Sequence, residues 1–162
     1  MDSNIQPKFK GNVGIFLVAS KLSAMNIIAL TTSRNTKGYD IVVLNPETNK
    51  GKGIQVKCTN KKDFPITNTY LKTINEELQK SITCDFVFVD ISGEQPRFFI
   101  LSKDDVCNII KTNTQRWLAT SKHRKPTEEI MVTETKKQLH TLRLSHIEKY
   151  ENNWNQILQD II

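Results

Sequence analysis

Cysteine is scarce in this chain and follows no pattern that would bind zinc or build a disulfide framework. The 162 residues include three cysteines, Cys58, Cys84 and Cys107, an odd number without the two-residue spacing of zinc-binding pairs. The three histidines do not complete a zinc set with them. We therefore expect neither a disulfide scaffold nor a structural zinc site, and we expect a protein of a reducing compartment.

Long apolar runs are also missing. No stretch approaches the roughly 20 residues that a membrane-spanning helix needs, and the first residues, Met1–Asn4, lack the basic-then-apolar pattern of a signal peptide. No internal repeat or linker divides the chain. These features predict a soluble, cytoplasmic protein without membrane contact, folded as a single domain over residues 1–162 around one sizeable core.

Acidic residues are scarce in the first part of the chain, which is therefore positively charged. Residues 1–65 hold ten Lys or Arg against four Asp or Glu, whereas residues 66–162 hold thirteen of each, so the net charge of +6 arises in the first part. A charge cluster is often only a solvated surface, but a positive one is also expected where a polyanion binds. We expect residues 1–65 to carry the functional motifs and residues 66–162 to complete the sheet and supply C-terminal helices.

The spacing of apolar residues predicts an alternation of helices and strands. Helices are expected in four segments with apolar residues at helical spacing: Phe9–Leu22, Tyr70–Lys80, Ser102–Leu118 and His146–Ile162. Strands are expected in five short apolar segments: Ile27–Leu30, Tyr39–Leu44, Gly53–Cys58, Asp85–Ile91 and Arg97–Leu101. Turn-forming residues predict two hairpins, between the second and third and between the fourth and fifth strands, and an exposed loop over Ser121–Lys137. The predicted fold class is α/β, with a mixed central sheet of about five strands flanked by helices.

Three polar residues interrupt two strongly apolar strands. Asp40 lies near the start of the second strand, and Gln55 and Lys57, two positions apart and therefore on one face, lie in the third. A hairpin would bring them together. The Asp40 carboxylate, the Gln55 amide oxygen and the Val56 carbonyl are oxygen ligands of the kind Mg²⁺ prefers, and Lys57 could orient or deprotonate a water. By spacing alone, the alternative interpretation is a set of ordinary solvated surface residues.

Three segments within the first 59 residues together resemble a known family. They are Gly11–Ala19, Asn35–Val43 and Ile54–Thr59, and they follow one another as a helix, a Gly-x-Asp strand and a Gln-Val-Lys strand. In this order they are similar to the PD-(D/E)XK nuclease superfamily, above all to its small stand-alone prokaryotic members. The likeness continues in Phe98–Leu101, Trp117–Leu118 and Tyr150–Trp154, so it covers most of the chain.

The resemblance implies a restriction endonuclease-like core, related to restriction enzymes and Holliday junction resolvases, and a metal-dependent endonuclease that acts on DNA. Such an enzyme would serve restriction, defence, repair or recombination. The resemblance also assigns Asp40 and Gln55 to Mg²⁺ and makes Lys57 the residue that assists the attack of water on the phosphodiester. A homodimer is a further expectation.

One position departs from the family pattern. Members usually carry a Glu after a Gly on the first helix, where this sequence has Ile15 after Gly14. The missing carboxylate predicts one-metal chemistry that is slow or demands Mn²⁺, which also accepts oxygen and nitrogen ligands. The alternative is a nuclease-fold domain that binds nucleic acid or a protein partner without cleavage.

Basic residues near these motifs are candidate contacts to DNA phosphates. They are Lys37, Lys50, Lys52, Lys61, Lys62, Arg124 and Lys125. The last two belong to the segment Lys111–Lys125, which holds five Lys or Arg and no acid and which could equally be a solvated loop. Trp117, Trp154 and the paired phenylalanines are expected in the core, and no role is assigned to His140 or His146.

Overall fold

The computed structural model describes residues 5–33, 38–61, 63–66, 82–120 and 140–162. The helices are α1 (Pro7–Ser23), α2 (Lys103–Thr120), α3 (Leu144–Ile147), a 3₁₀ helix (Glu148–Tyr150) and α4 (Asn155–Leu158). The strands are β1 (Ile28–Thr31), β2 (Ile41–Leu44), β3 (Gly51–Thr59), β4 (Asp63–Ile66), β5 (Asp85–Asp90), β6 (Arg97–Leu101) and β7 (His140–Arg143). The predicted helix Tyr70–Lys80 and the predicted loop Ser121–Lys137 lie outside the described residues.

A five-stranded mixed sheet forms the centre of the protein, in the order β1-β2-β3-β5-β6. Both predicted hairpins are confirmed, because β2 pairs with β3 and β5 with β6 in antiparallel register. Strands β3 and β5 run parallel, so the chain crosses over between them. The predicted fold class, α/β with a mixed central sheet flanked by helices, is therefore confirmed.

Helix α1 packs closely on the sheet through a narrow stripe of residues. Pro7 stands at its first turn, where a missing N–H costs nothing, and the buried residues Gly14, Val18 and Leu22 recur every four positions. A Cβ atom added to Gly14 would lie 2.6 Å from the Cβ of Cys58 on β3. The absence of a side chain at Gly14 thus sets how closely the helix approaches the strand.

The two faces of the sheet are covered by different segments. On one face, α1 residues such as Val18 form an apolar cluster with Ile54 and Val56 of β3 and with Trp154 of the C-terminal segment. On the other face, Phe86 and Phe88 of β5 form a second cluster, to which α2 contributes residues. The expectation that Trp154 and the paired phenylalanines belong to the core is confirmed. None of the described helices is long and apolar enough to cross a membrane.

The C-terminal segment differs from the prediction. The single helix expected over His146–Ile162 is wrong, because the segment is divided into α3, the 3₁₀ helix and α4. The break falls at Asn152, whose φ of 54° lies in the left-handed region and whose N–H donates to the carbonyl of Phe98 at 2.8 Å. Glu151 beside it accepts a bidentate ion pair from Arg97 of β6. Contacts with the sheet thus override the helical periodicity.

A second, two-stranded sheet was missed by the sequence patterns. Strand β4 pairs antiparallel with β7, although 73 residues, 67 to 139, lie between them in the sequence. Pro65 in β4 and the polar composition of β7 conceal the strand pattern.

The predicted start of α2 is confirmed, because the backbone N–H of Asp105 donates to the Ser102 hydroxyl at 3.0 Å.

Candidate active site

The register of the β2–β3 hairpin places Asp40 opposite Gln55. Ile41 pairs with Ile54 in this hairpin, so the residues one position further out, Asp40 and Gln55, face each other. The N–H of Asp40 donates to the carbonyl of Ile54 at 2.8 Å and holds this alignment. Asp40 and Gln55, the first two of the three predicted residues, therefore lie on adjacent segments at the end of the hairpin.

Lys57 shares a face with Gln55, and α1 covers the other face. Ile54 and Val56 belong to the apolar cluster with α1, so the alternation of the strand directs Gln55 and Lys57 away from this helix. In the parallel register with β5 these two residues lie beside Phe86 and Phe88, respectively. The candidate site therefore lies on the sheet face opposite α1, and both residues are only half-buried.

The Asp40 side chain extends the hydrogen-bond ladder beyond the end of its own strand. One carboxylate oxygen, Oδ2, accepts a hydrogen bond from the backbone N–H of Val56 at 2.8 Å. Since β2 begins only at Ile41, the carboxylate takes the place that a further strand residue would occupy. The N–H and C=O of one strand residue point toward the same neighbour, so the Val56 carbonyl also lies on the side of Asp40.

Lys57 lies in a partly desolvated position close to Asp40. Burial lowers the pKa of Lys57, while the negative charge of Asp40 and the Cys84 side chain oppose this shift. The net lowering of the pKa increases the fraction of neutral amine at a given pH, and a neutral amine can accept a proton. A lysine of altered basicity therefore lies within the electrostatic influence of the Asp40 carboxylate.

Two glycines shape the backbone around Asp40. Gly38 has a φ of 103°, in the left-handed region that favours glycine, and its carbonyl accepts a hydrogen bond from the Cys84 thiol at 2.9 Å. Gly53 lies under the ring of Tyr39, since a Cβ added there would be 2.8 Å from Tyr39 Cγ. The glycine of the Gly-x-Asp pattern, Gly38, is therefore favoured by its backbone conformation. Gly53 leaves room for the ring of Tyr39, the middle residue of that pattern.

Cys84 is a site residue that the sequence patterns did not reveal. Its thiol contacts Gly38, and the backbone N–H of Gln55 donates to its sulfur. Burial, reinforced by the charges of Asp85 and Asp40, raises the pKa of Cys84 to about 11. The thiol is therefore protonated at neutral pH and serves as a packing and hydrogen-bonding group. Its position directly before the apolar strand β5 was the only available signal in the sequence.

The oxygen donors present suit one hard cation. Within the described residues, no group of three or more His, Cys, Asp or Glu side chains could hold a metal ion. The predicted set instead consists of one carboxylate from Asp40, the amide oxygen of Gln55 and the carbonyl of Val56, which are ligands that Mg²⁺ or Mn²⁺ accepts together with water. With a single negative charge, this set fits one weakly bound ion.

The helix position that carries Glu in the resembled family is part of the core in this protein. Ile15 is half-buried and packs against the apolar cluster that includes Val18 and Val56. Asn12, one turn earlier, is exposed. The environment of Ile15 is therefore suited to an apolar side chain and supplies no second carboxylate to the site.

Among the predicted DNA contacts that the structure describes, Lys50 and Lys61 lie at opposite ends of β3. Lys50 precedes β3 and donates to the carbonyl of Ile162 at 3.0 Å, whereas Lys61 follows β3 and is exposed. The nine residues of β3 between them span about 26 Å at roughly 3.3 Å per residue. The other predicted contacts, Lys37, Lys62, Arg124 and Lys125, lie outside the described residues.

The charge of Lys52, another of the predicted DNA contacts, is paired within the fold. Its amine lies 2.6 Å from Asp85 Oδ2 and 2.5 Å from Asp160 Oδ2, and only 20% of its side chain is exposed. Burial opposes protonation, but the hydrogen bonds to Asp160 and Asp85 outweigh it, and the pKa of Lys52 is raised. An amine held between two carboxylates joins β3, β5 and the C-terminal segment.

A scan against known protein families and searches of curated proteins and of solved structures found no match to this chain.

Proposed function

We propose that this protein is a cytoplasmic, metal-dependent endonuclease with a restriction endonuclease-like core that acts on DNA phosphodiester bonds. The observation that carries this proposal is the arrangement around Asp40. Its carboxylate binds the N–H of Val56, and Gln55 and Lys57 lie on the same sheet face. A solvated surface needs no such convergence of a carboxylate, an amide and a partly desolvated lysine.

Asp40, Gln55 and the Val56 carbonyl are the groups that would hold the metal ion. When bound, a Mg²⁺ or Mn²⁺ ion would stabilise negative charge on the phosphate and lower the pKa of a bound water. The second oxygen of the Asp40 carboxylate can bind the metal ion while Oδ2 retains the hydrogen bond from the Val56 N–H. The strand thereby orients the carboxylate before any ligand arrives.

Lys57 is the residue proposed to handle the proton of the attacking water. The water oxygen forms a bond to phosphorus while one bridging P–O bond breaks, and the proton lost by the water passes to the neutral amine of Lys57. The leaving oxygen takes a proton from solvent. Burial favours the neutral amine, because it lowers the pKa of Lys57.

DNA would be attracted by the positive charge of the first part of the chain. Lys61 and Lys50 are the described candidates for phosphate contacts, and Lys37, Lys62, Arg124 and Lys125 complete the proposed set. Affinity should then fall steeply with salt and depend little on base sequence, because phosphate contacts release counterions. A homodimer belongs to the same proposal and is tested by the mass of the protein in solution.

The central experiment is a cleavage assay on plasmid and branched DNA with Mg²⁺ or Mn²⁺. The parent protein is compared with Asp40→Ala, Lys57→Ala and the control Lys21→Ala, which removes one positive charge from an exposed position of α1. We expect the first two variants to lose cleavage while still binding DNA, and the control to retain both. Cleavage that survives both site substitutions would refute the assigned site.

A second candidate function is binding of nucleic acid or of a protein partner without cleavage. It is favoured by one observation, the packing of Ile15 in the core at the position where the resembled family carries an acid. This function predicts salt-sensitive DNA binding that is unaffected by Asp40→Ala, with no cleavage by the parent protein in either metal. Cleavage by the parent protein that disappears in Asp40→Ala would exclude it.

A further inference from the structure

A polar cleft of about 410 Å³ lies between α2 and the C-terminal turns. Helix α2 lines it with Asn108, Asn113 and Arg116, and the C-terminal turns contribute Ser145, His146 and Lys149. None of the described lining residues belongs to the candidate active site around Asp40. The cleft is therefore a surface separate from the candidate active site.

The charges that line this cleft are mainly positive. Arg116 and Lys149 bring two positive charges, and the one carboxylate among the described lining residues is that of Asp105. Both oxygens of Asp105 are occupied by neighbouring side chains, since Oδ2 accepts from the Ser102 hydroxyl at 2.6 Å and Oδ1 from the Tyr150 hydroxyl at 2.7 Å. Burial opposes ionisation, but these two hydrogen bonds lower the pKa of Asp105, so the carboxylate stays charged and the described lining residues carry one net positive charge.

His146 presents a hydrogen-bond donor to the cleft. Its Nδ1 lies 3.0 Å from the amide nitrogen of Asn113 and 3.3 Å from the backbone nitrogen of Arg143. Both partners are N–H donors, so Nδ1 accepts, and the proton of the neutral ring is on Nε2. Burial and the nearby charges of Arg143 and Arg116 lower the pKa of His146, against the opposing charge of Asp63. The ring is consequently a neutral N–H donor at neutral pH.

The size of the cleft exceeds what a single inorganic anion needs. The lining residues on α2 extend from Asp105 to Arg116, a span of twelve residues and about 16 Å along the helix axis. The volume falls within the range of about 300–1,000 Å³ that is typical of small-molecule sites. Ile109 and Tyr150, which pack against the apolar cluster beneath, offer an apolar wall that a planar base can contact.

We infer that this cleft binds the phosphate of a nucleotide, with Arg116, Lys149 and the imidazole N–H of His146 as its donors. The same chemistry is offered by a free nucleotide and by a nucleotide within a single strand of nucleic acid. This inference goes beyond the proposed nuclease function and does not depend on cleavage at Asp40.

The test is a titration of the full-length protein with adenosine monophosphate, adenosine and inorganic phosphate. Adenosine monophosphate is expected to bind at least tenfold more tightly than adenosine or phosphate alone. Arg116→Ala and Lys149→Ala should each weaken its binding about tenfold, the effect of losing one charged hydrogen bond. Lys111→Ala removes the same charge from α2 outside the cleft and should change the affinity less than twofold. Thermal unfolding checks that the variants, all at positions that are not fully buried, remain folded.

Competition distinguishes the two sources of the ligand. Displacement of adenosine monophosphate by a single-stranded oligonucleotide would identify a nucleic-acid strand, and failure to displace it would identify a free nucleotide. Asp40→Ala should leave the nucleotide affinity unchanged, which separates this inference from the nuclease proposal. The inference is overturned if adenosine monophosphate does not bind, if adenosine binds equally well, or if Arg116→Ala and Lys149→Ala behave like Lys111→Ala.

Discussion

Asp40 and Val56 are joined by a hydrogen bond of 2.8 Å from a backbone N–H to a carboxylate oxygen, at the point where β2 begins and β3 continues. This contact gives the aspartate two functions. It satisfies a backbone group that would otherwise need another partner, and it fixes the carboxylate beside β3, the strand that carries Gln55 and Lys57. Stability and the proposed activity therefore depend on different properties of one side chain.

The two functions of Asp40 can be separated by two substitutions. Asp40→Ala leaves the part-buried N–H of Val56 without its acceptor and should lower the free energy of unfolding by about 1–2 kcal/mol. Asp40→Asn keeps an oxygen acceptor and should cost less than about 0.5 kcal/mol, yet it removes the negative charge. Urea denaturation and plasmid cleavage, measured in parallel, should show two inactive variants of unequal stability. Equal stability of the two variants would show that the hydrogen bond contributes little.

Lys57 should make the stability of the protein depend on alkaline pH. Its pKa is lower in the folded than in the unfolded state, mainly because of burial, so between the two pKa values the unfolded state binds more protons. Stability contributed by this group therefore rises with pH as the folded-state amine loses its proton, up to the unfolded value near 10.5. The difference in unfolding free energy between the parent and Lys57→Met should shift in favour of the parent over this interval.

The control for Lys57 is Lys61→Met, which removes the same charge four residues further on at an exposed position. Cys58 and Cys84 also titrate at alkaline pH, since burial raises their pKa values to about 11. Their contribution to the unfolding free energy cancels when each variant is compared with the parent protein. A difference for Lys57→Met that stays constant with pH, or that resembles the one for Lys61→Met, would contradict a lowered pKa.

Gly14 should tolerate no side chain, whereas Gly11 on the same helix should. Gly14→Ala would place a Cβ 2.6 Å from that of Cys58, and the resulting overpacking should cost about 1–3 kcal/mol. Gly11 has no neighbour within 4 Å of such an atom, so Gly11→Ala should stabilise the protein by about 0.5–1 kcal/mol through helix propensity. Thermal or urea unfolding of both variants measures the contrast, and destabilisation by Gly11→Ala would argue against the observed packing of α1.

Lys52 should matter for stability and Lys50 should not. Lys52→Met leaves the nearly buried carboxylate of Asp85 without its ion-pair partner, with an expected cost of about 2–3 kcal/mol, below the range for fully buried pairs because Lys52 retains some exposure. Lys50→Met removes an exposed lysine and should change the unfolding free energy by less than about 0.5 kcal/mol. Equal effects of the two substitutions in urea denaturation would show that the ion pair of Lys52 is not a stabilising contact.

Much of the sheet could be predicted because its signals are local. The apolar runs and the turn-rich segments between them define the β2–β3 and β5–β6 hairpins, and the alternation of a strand directs Gln55 and Lys57 to one face. The position of Asp40 opposite Gln55 also follows from the hairpin. These features depend on neighbours within about fifteen residues, where chain geometry leaves few alternatives.

The remaining features depend on contacts between distant residues. The pairing of β4 with β7, the break in the C-terminal helix at Asn152 and the ion pairs of Lys52 with Asp85 and Asp160 each join segments more than thirty residues apart. Local periodicity cannot show that a lysine will meet two carboxylates or that a carbonyl of β6 will capture the N–H of Asn152. The sequence by itself therefore determined the five strands of the central sheet and the residues that could meet at Asp40. Only the tertiary structure decided which charges are paired inside the fold, because burial and electrostatic pairing arise from the packing of the whole chain.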